Sequence, residues 1–536
     1  MTHAPLTPAE VLARYPAHDD SLPGLLAGRV ARGPTAPAIE FNTRRWDYAA
    51  LDIASGHAAA LLAGLGVRAG EPVAVCAANS DLHVLLFLAC AKLGAIFAPM
   101  NIALTDTELG YVVGHTRPRV IFTRAAAQAR LARLAEEPSV PVVALETLGF
   151  DANSPAEVLS AIREAGGEVN TPPAAAAESA LVVVYTSGTT GFPKGVVHTQ
   201  RNYVWAAEAF VERMHLQPDE RLLTVLPFFH INALFYSLGG ALAAGACLVI
   251  AESFSASRFW EVVHASGATQ FNTLAAVGSI LCKRSREEFR PGHVLRKVYG
   301  GPISAEVAEV FPKEFGVPDL VEGYGMSEIP GACNNPYTGP HKLGSIGLPA
   351  RHPRLGRFVD MRVVDDAGRE VGDDVVGELE VRTPIVFREY LHDPVQTAAA
   401  FHDGWFVTGD LVRRDRDGYY HFVARKKDII RVRGENVAGA ELDRILGGHP
   451  AVAEAATIGV PAELGDEEIL AVLVARAERP AFGELAAWCR RELAAIKVPR
   501  YWVWADSLPH TPTARVAKHL LKKDAALIAR RVDLRT

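Results

Sequence analysis

A single lysine sits among small hydroxyl residues and glycines in the run "YTSGTTGFPKG", Tyr185 to Gly195. Thr186, Ser187, Thr189 and Thr190 offer hydroxyl donors. Gly188, Gly191 and Gly195 let the backbone turn at positive φ, and Lys194 adds one mobile point charge. Convergent N–H, O–H and ammonium donors suit a polyphosphate. Gly195 follows the lysine where a Walker A loop needs Ser or Thr, so this is a phosphate loop of another type. Further on, "GYGMSE" (Gly323 to Glu328) offers an aromatic face at Tyr324 and a carboxylate at Glu328. Beside a phosphate loop, the carboxylate can hold Mg2+ and the ring can stack on a base. "WFVTGD" ends in Asp410, a carboxylate suited to ribose hydroxyls, and "LPFFH" sets His230 behind two aromatics. Taken singly, these last three stretches also read as turns or packing residues.

The elements around these residues are those of an α/β protein. Leu181–Val184 is a short β-branched apolar run, read as a buried strand that delivers the loop. "AAALLAGLGVRAGEPVAVCA" predicts a helix ending near Gly64–Gly66, a turn through Gly70 and a strand over Val73–Cys76. "HVLLFLACAKLGAIFAPMN" and "LGGALAAGACLVI" repeat the scheme. Such alternation predicts sheets sandwiched between helices. Ala233–Ala251 carries no charge, but Gly239, Gly240 and Gly245 interrupt it, so a buried helix and strand are expected rather than a membrane span. From about residue 357 short strands and D-D-A-G and G-D-D turns predict a β-rich unit. A small α+β unit follows "ARKKD", Ala424 to Asp428, a charged crossing that reads as a hinge.

At 536 residues the chain is too long for one core. A formal charge of −6 argues against a nucleic-acid partner. Six scattered cysteines with no C-x-x-C pair read as thiols of a reducing compartment. The start, "MTHAPLTPAEVLARYP", lacks the basic and apolar regions of a signal peptide, so a cytoplasmic location is expected.

The order and separation of these stretches resemble the adenylate-forming superfamily, in particular its acyl-CoA synthetases, from about residue 40 to residue 523. "YTSGTTGFPKGV" is similar to that family's phosphate-loop signature almost letter for letter. "YGMSE", "TGD", "RKKDIIRVRGENV" and "LPHTPTARVAK" resemble its later motifs. The resemblance implies a large N-terminal domain over residues 1–423, with two α/β sheets and a small β-rich unit. It further implies a hinge at 424–428 and a mobile α+β domain over 429–536. It implies an ATP-dependent acid–thiol ligase: a carboxylic acid and ATP give an acyl-adenylate and pyrophosphate, the small domain rotates, and a thiol takes the acyl group. The cofactors implied are ATP, Mg2+ and CoA, with a carrier-protein phosphopantetheine as the alternative thiol.

By the same resemblance Thr186, Ser187, Gly188, Thr189, Thr190 and Lys194 embrace the β- and γ-phosphates. Glu328, with Thr186, is the metal site, and Tyr324 stacks on adenine. Asp410 and Arg425 hold the ribose, Lys427 is the hinge residue, and Gly434 lines the pantetheine tunnel. His230, Ala276, Gly300, Gly301 and Gly325 border the acyl pocket. Most members carry a P-x-x-x-G-K stretch whose lysine bridges the substrate carboxylate and the α-phosphate. Here "PTARVAK" has Ala514 and Arg515 in those places, which puts the adenylation half in question and raises the alternative of a thioester-forming enzyme that uses supplied acyl-AMP. "VYGGPIS" and the small Ala275 and Ala276 hint at an unusual, bulky acid. "HINALFYSLGG" has no acidic residue to pair with an α-ammonium, so an amino acid substrate is disfavoured. "GMSEI" lacks the second glycine of a serine-hydrolase elbow.

Overall fold

The computed structural model describes residues 4–135, 140–166, 176–186, 193–432, 435–462, 467–510 and 516–534. The chain divides into two compact units. One comprises Met1–Asp360 with Val381–Phe406, the other Met361–Glu380 with Val407–Thr536.

Two sheets organise the first unit. In the seven-stranded sheet the order is Glu389–Tyr390, Lys194–Thr199, Ala180–Thr186, Ile96–Pro99, Pro72–Cys76, Val120–Thr123 and Val142–Ala144. Its centre is parallel, and the last two strands on the loop side are antiparallel. The predicted βα alternation is there. Helix Tyr48–Gly64 is followed by Gly66 and Gly70 at φ of 85° and 80° and then by strand Pro72–Cys76. Helix Asp81–Leu93 ends at Gly94 in the left-handed region and leads into Ile96–Pro99. Leu181–Val184 is buried on both faces, as a β-branched strand between helix layers should be.

The nine-stranded sheet runs Leu348–Pro349, Ile329–Asn334, Asp319–Met326, Lys297–Gly300, Gln270–Asn272, Arg221–Thr224, Cys247–Ile250, Pro37–Phe41 and Arg44–Asp47. The uncharged stretch after His230 resolves into a π-helix over Asn232–Leu238, a helix over Gly239–Ala244 and strand Cys247–Ile250, all buried apart from the half-buried Asn232. Among the described residues no helix is long and apolar enough to cross a membrane.

The expected β-rich segment is a sheet carrying strands Asp360–Val364, Val376–Arg382, Phe401–His402, Trp405–Arg414 and Tyr420–Arg425, in which Trp405–Arg414 pairs antiparallel with Phe401–His402 and with Tyr420–Arg425. In its D-D-A-G turn, Asp365 Oδ1 accepts the N–H groups of Ala367 and Arg369, an Asx turn that reverses the chain. The second unit continues with the hairpin Ile429–Val432/Glu435–Ala438. A four-stranded sheet follows, Val452–Pro461, Glu467–Ala475, Tyr501–Trp504 and Val532–Asp533. One face of that sheet packs Leu442, Leu446, Leu485 and Trp502 together; the other gathers Ile458, Leu470, Val472 and Leu521. Ala424–Asp428 lies inside this unit. Ala424 is buried, Arg425 ends a strand, and Lys426–Asp428 form one 3-10 turn.

Gly245 tests how tightly the first unit is joined. It caps helix Gly239–Ala244 at φ 72°, and a Cβ there would fall 1.8 Å from the Tyr15 hydroxyl, which donates to the Ala244 carbonyl. Gly245→Ala is expected to cost about 2 kcal/mol or more, from the left-handed backbone and the displaced tyrosine together. A chemical denaturation curve checks it; an unchanged midpoint refutes it.

Candidate active site

The phosphate-loop stretch is carried by a β-hairpin. Ala180–Thr186 pairs antiparallel with Lys194–Thr199, and the register sets Thr186 opposite Lys194. Ser187, Gly188, Thr189, Thr190 and Gly191 lie outside the described residues, as do Gly434 and Arg515. Gly195 departs from expectation. It is a strand residue and has no positive φ; what it supplies is the absence of a side chain. A Cβ there would fall 2.9 Å from Val183 Cγ2 and 3.2 Å from Leu391 Cβ. The glycine therefore lets strand Lys194–Thr199 fit between its neighbours rather than turn.

On its other side this strand pairs with Glu389–Tyr390, Tyr390 opposite Val196. That brings the Tyr390 ring under the loop lysine, with Lys194 Nζ 4.7 Å from the ring centroid. The Tyr390 hydroxyl donates to Glu328 Oε1 at 2.8 Å. Lys194 and Glu328, 134 positions apart in sequence, thus flank one side chain. Glu328 is nearly buried and occupies the turn between strands Asp319–Met326 and Ile329–Asn334; its carbonyl accepts the Phe387 N–H at 2.7 Å. Burial and the Glu328 charge raise the Tyr390 phenol far above the usual tyrosine range, so it remains a donor.

A second tie holds the two parts in place. His198 is fully buried, and its Nε2 donates to the Ser327 carbonyl at 2.7 Å, while Asn202 Nδ2 lies 3.3 Å from Nδ1. Burial pushes the His198 imidazole down to about 4. Neither Tyr390 nor His198 stands out in the sequence. "FREYL" has no spacing that suggests chemistry, and only the strand pairing reveals the tyrosine.

Tyr324 is half-buried, paired across the hairpin with Cys333, and its hydroxyl lies 3.9 Å from Met326 Sδ. Gly325 is forced by a neighbour: a Cβ would fall 2.5 Å from the Gly331 nitrogen. Gly300 and Gly301 are wedged likewise, the first against Thr273 at 2.6 Å and the second against the Gly323 carbonyl at 2.3 Å. Glu322 holds that loop by accepting the Ile303 N–H at 3.2 Å, and burial lifts its carboxyl to about 7. His230 is half-buried against Phe229, and its carbonyl starts the next helix by accepting the Leu234 N–H. Beneath it Asn272 Nδ2 donates to Asn232 Oδ1 at 2.8 Å and lies 3.1 Å from Ser237 Oγ. Ala276 is exposed in the first turn of helix Ala275–Lys283.

In the second unit Asp410 and Arg425 are register partners of neighbouring strands, joined at 2.6 Å between Oδ1 and Nε. Asp410 is wholly buried, and its N–H donates to Thr408 Oγ1. Lys427 lies in the 3-10 turn beside Lys426, whose ammonium bonds Glu378 at 2.9 Å.

Among the described residues no cluster of three or more His, Cys, Asp or Glu side chains could hold a metal. Glu328, a buried carboxylate, is an oxygen donor of the kind suited to an ion that takes its other ligands from phosphate and water, the habit of Mg2+. The donor set is thus right for a metal–nucleotide complex and wrong for a structural zinc.

Comparison with known proteins agrees. Residues 26–391 match the model of the AMP-binding enzyme family, and residues 441–515 match that of the AMP-binding enzyme C-terminal domain. A sulfoacetate–CoA ligase of Cupriavidus necator is 33% identical over 93% of this chain and 97% of its own. An indoleacetate–CoA ligase of Aromatoleum aromaticum is 31% identical over 93% of this chain and 96% of its own. ATP-bound MatB from Rhodopseudomonas palustris superposes with a TM-score of 0.83 at 26% identity, covering 95% of this chain and all of that one.

The buried histidine gives a pH test. Its folded-state value lies below the ordinary 6.5, so the unfolded chain binds the proton more readily. Stability is then intact above about 6.5 and falls as pH drops towards about 4. The full loss from this one group is about 3 kcal/mol. His198→Gln is expected to flatten that part of the stability–pH curve, leaving the share of the equally buried His83. Parallel curves for the two proteins would refute it.

Proposed function

Since the chain belongs to the AMP-binding enzyme family, and with it to the adenylate-forming ATP-dependent acid–thiol ligases, we propose that it activates a small organic acid as its acyl-adenylate and passes the acyl group to CoA. Its relatives act on acids as unlike as sulfoacetate and indoleacetate, so the reaction class carries over and the particular acid does not. The observation that supports the reading best is the Lys194–Tyr390–Glu328 arrangement.

In the adenylation half, a carboxylate must approach a phosphorus already surrounded by negative oxygens. Lys194, at the end of the loop hairpin, supplies a cation to the β- and γ-phosphates, with the hydroxyls of Thr186, Ser187, Thr189 and Thr190 and the Gly188 backbone around it. Mg2+, when bound, neutralises phosphate charge, and Glu328 and Thr186 would hold it. Tyr390 keeps Glu328 oriented by donating to its Oε1. Tyr324 gives adenine a ring face. Asp410, pre-oriented by Arg425, accepts the ribose hydroxyls. His230 stands at the acyl pocket with Gly300, Gly301, Gly325 and Ala276. In the thioester half, Lys427 is the pivot about which the small domain turns, and Gly434 lines the path of the pantetheine thiol.

Arg515 favours a second reading. A guanidinium is longer and planar where the family uses an ammonium, and a misplaced transition-state donor costs on the order of 100- to 1000-fold in rate. That would leave the thioester half running on supplied acyl-AMP. The two halves separate cleanly in assay. ATP–pyrophosphate exchange reports the first, and CoA-thioester formation from synthetic acyl-AMP reports the second. Robust exchange by the unaltered protein disposes of the half-enzyme. Lys194→Ala is expected to lower exchange on the order of 100-fold while sparing the second half; equal loss in both would undo the role given to Lys194. Arg515→Lys is expected to raise exchange, and an unchanged or lower rate would mark arginine as the adapted residue.

A further inference from the structure

The hairpin that carries Lys194 is tied down by a histidine to which the adenylation chemistry gives no part. Tyr185, opposite Gly195 in the strand register, lays the end of its ring against that glycine, where a Cβ would fall 3.3 Å from Tyr185 Cζ. The Tyr185 hydroxyl lies 2.8 Å from His115 Nδ1 and 2.7 Å from Thr116 Oγ1. Both partners close helix Asp106–Thr116, which a Thr105–Glu108 capping box starts and whose Leu109, Val112 and Val113 are buried in the sheet core. A well-anchored helix thus presents two polar groups to one phenol.

The order of the protons in this cluster follows from its distances. Thr116 is fully buried and spends its single hydroxyl proton on the Val112 carbonyl, at 2.7 Å. Towards Tyr185 its oxygen can then only accept, so the phenol donates to Thr116. The Tyr185 oxygen keeps its lone pairs for His115, and Nδ1 must carry the proton that reaches it. Burial raises the Tyr185 phenol well above its ordinary value, so the donated proton stays in place. Burial, with His392 and Arg117 nearby, pushes the His115 imidazole down and favours the neutral ring.

His115 also reaches the other flank of the lysine strand. Its ring centroid lies 5.6 Å from that of His392, edge-on, and Tyr111 stacks on it at 5.5 Å. His392, at φ 57°, stands in the turn that follows Tyr390, and the Leu391 N–H of that turn donates to the Gly195 carbonyl at 2.7 Å. Thr397 closes the same turn. Its hydroxyl donates to the Asp393 carbonyl and accepts the Tyr390 N–H at 2.9 Å. One side chain therefore stands against both segments between which Lys194 is held, the Tyr185 strand and the Tyr390 turn. Packing alone would be served by a phenylalanine; a donor at Nδ1 has a further use.

We infer that His115 is a positioning residue for Lys194: its Nδ1–H bond to Tyr185 fixes the end of the hairpin and so where the ammonium stands over the Tyr390 ring. The inference rests on the reading of Lys194 as the cation for the β- and γ-phosphates. Displacing that cation weakens the grip on a triphosphate and leaves a monophosphate alone.

Calorimetric titration with ATP and Mg2+, and with AMP, tests this on the whole protein without any acid. His115→Leu is expected to weaken ATP on the order of 10-fold and to move AMP by no more than about 2-fold. Asparagine sets an amide N–H where Nδ1 stands, and glutamine sets one where Nε2 stands. His115→Asn should therefore recover most of the ATP affinity, and His115→Gln should not. Tyr185→Phe, which keeps the ring against Gly195, should match the leucine variant, and the two together should cost no more than either alone. It also carries the test where the leucine variant does not fold. Unchanged ATP affinity, equal losses for ATP and AMP, additive losses, or recovery by glutamine as full as by asparagine would each overturn the inference. The expected pattern in a protein without pyrophosphate exchange would uphold it and bring down the adenylating reading. An unaltered protein that binds no ATP would bring down both.

Discussion

The tyrosine between Lys194 and Glu328 solves a problem of charge. A site that receives a polyphosphate and a metal ion needs a cation and a carboxylate near one another, yet an ammonium and a carboxylate in contact would satisfy each other and offer little to a ligand. Tyr390 gives each a different surface. The ring face, negative by its quadrupole, takes the ammonium at 4.7 Å, and the hydroxyl donates to the carboxylate at 2.8 Å. Both charged groups are oriented by one rigid side chain whose own proton is held firmly by burial.

That arrangement depends on one strand having partners on both sides. Lys194–Thr199 meets the loop strand on one edge and Glu389–Tyr390 on the other. The first pairing places Lys194 opposite Thr186 and the second brings Tyr390 beneath it. His198, on the same strand, reaches across to the Ser327 carbonyl and so fixes the turn that carries Glu328. Gly195 permits the fit by carrying nothing that Val183 and Leu391 would have to avoid. A shift of one residue in this strand would turn Lys194 and His198 to the wrong faces together.

Much of the fold was legible because its signals are local. β-branched runs, glycines after helices and the Asx turn at Asp365 each follow from a few consecutive residues. The loop and the "GYGMSE" turn were legible as motifs, and Asp410 and Arg425 turned out to be cross-strand partners. Tyr390 and His198 were not legible, since nothing beside them in sequence bears on their role. Each acquires it from a strand more than a hundred positions away or from a pairing register, and burial turns an ordinary histidine neutral. Gly195 misled for the opposite reason. A glycine in a loop motif suggests a turn, whereas close packing between strands demands glycine just as strictly.

Asp410 is a buried carboxylate whose balancing cation stands on the neighbouring strand. Its side chain is wholly buried, which alone would favour the neutral acid. The Arg425 guanidinium at 2.6 Å offsets that cost before any ligand arrives, while Arg425 itself stays partly exposed and so loses little hydration. Sugar hydroxyls reaching such a carboxylate would add donors to an anion already stabilised, rather than having to stabilise it themselves.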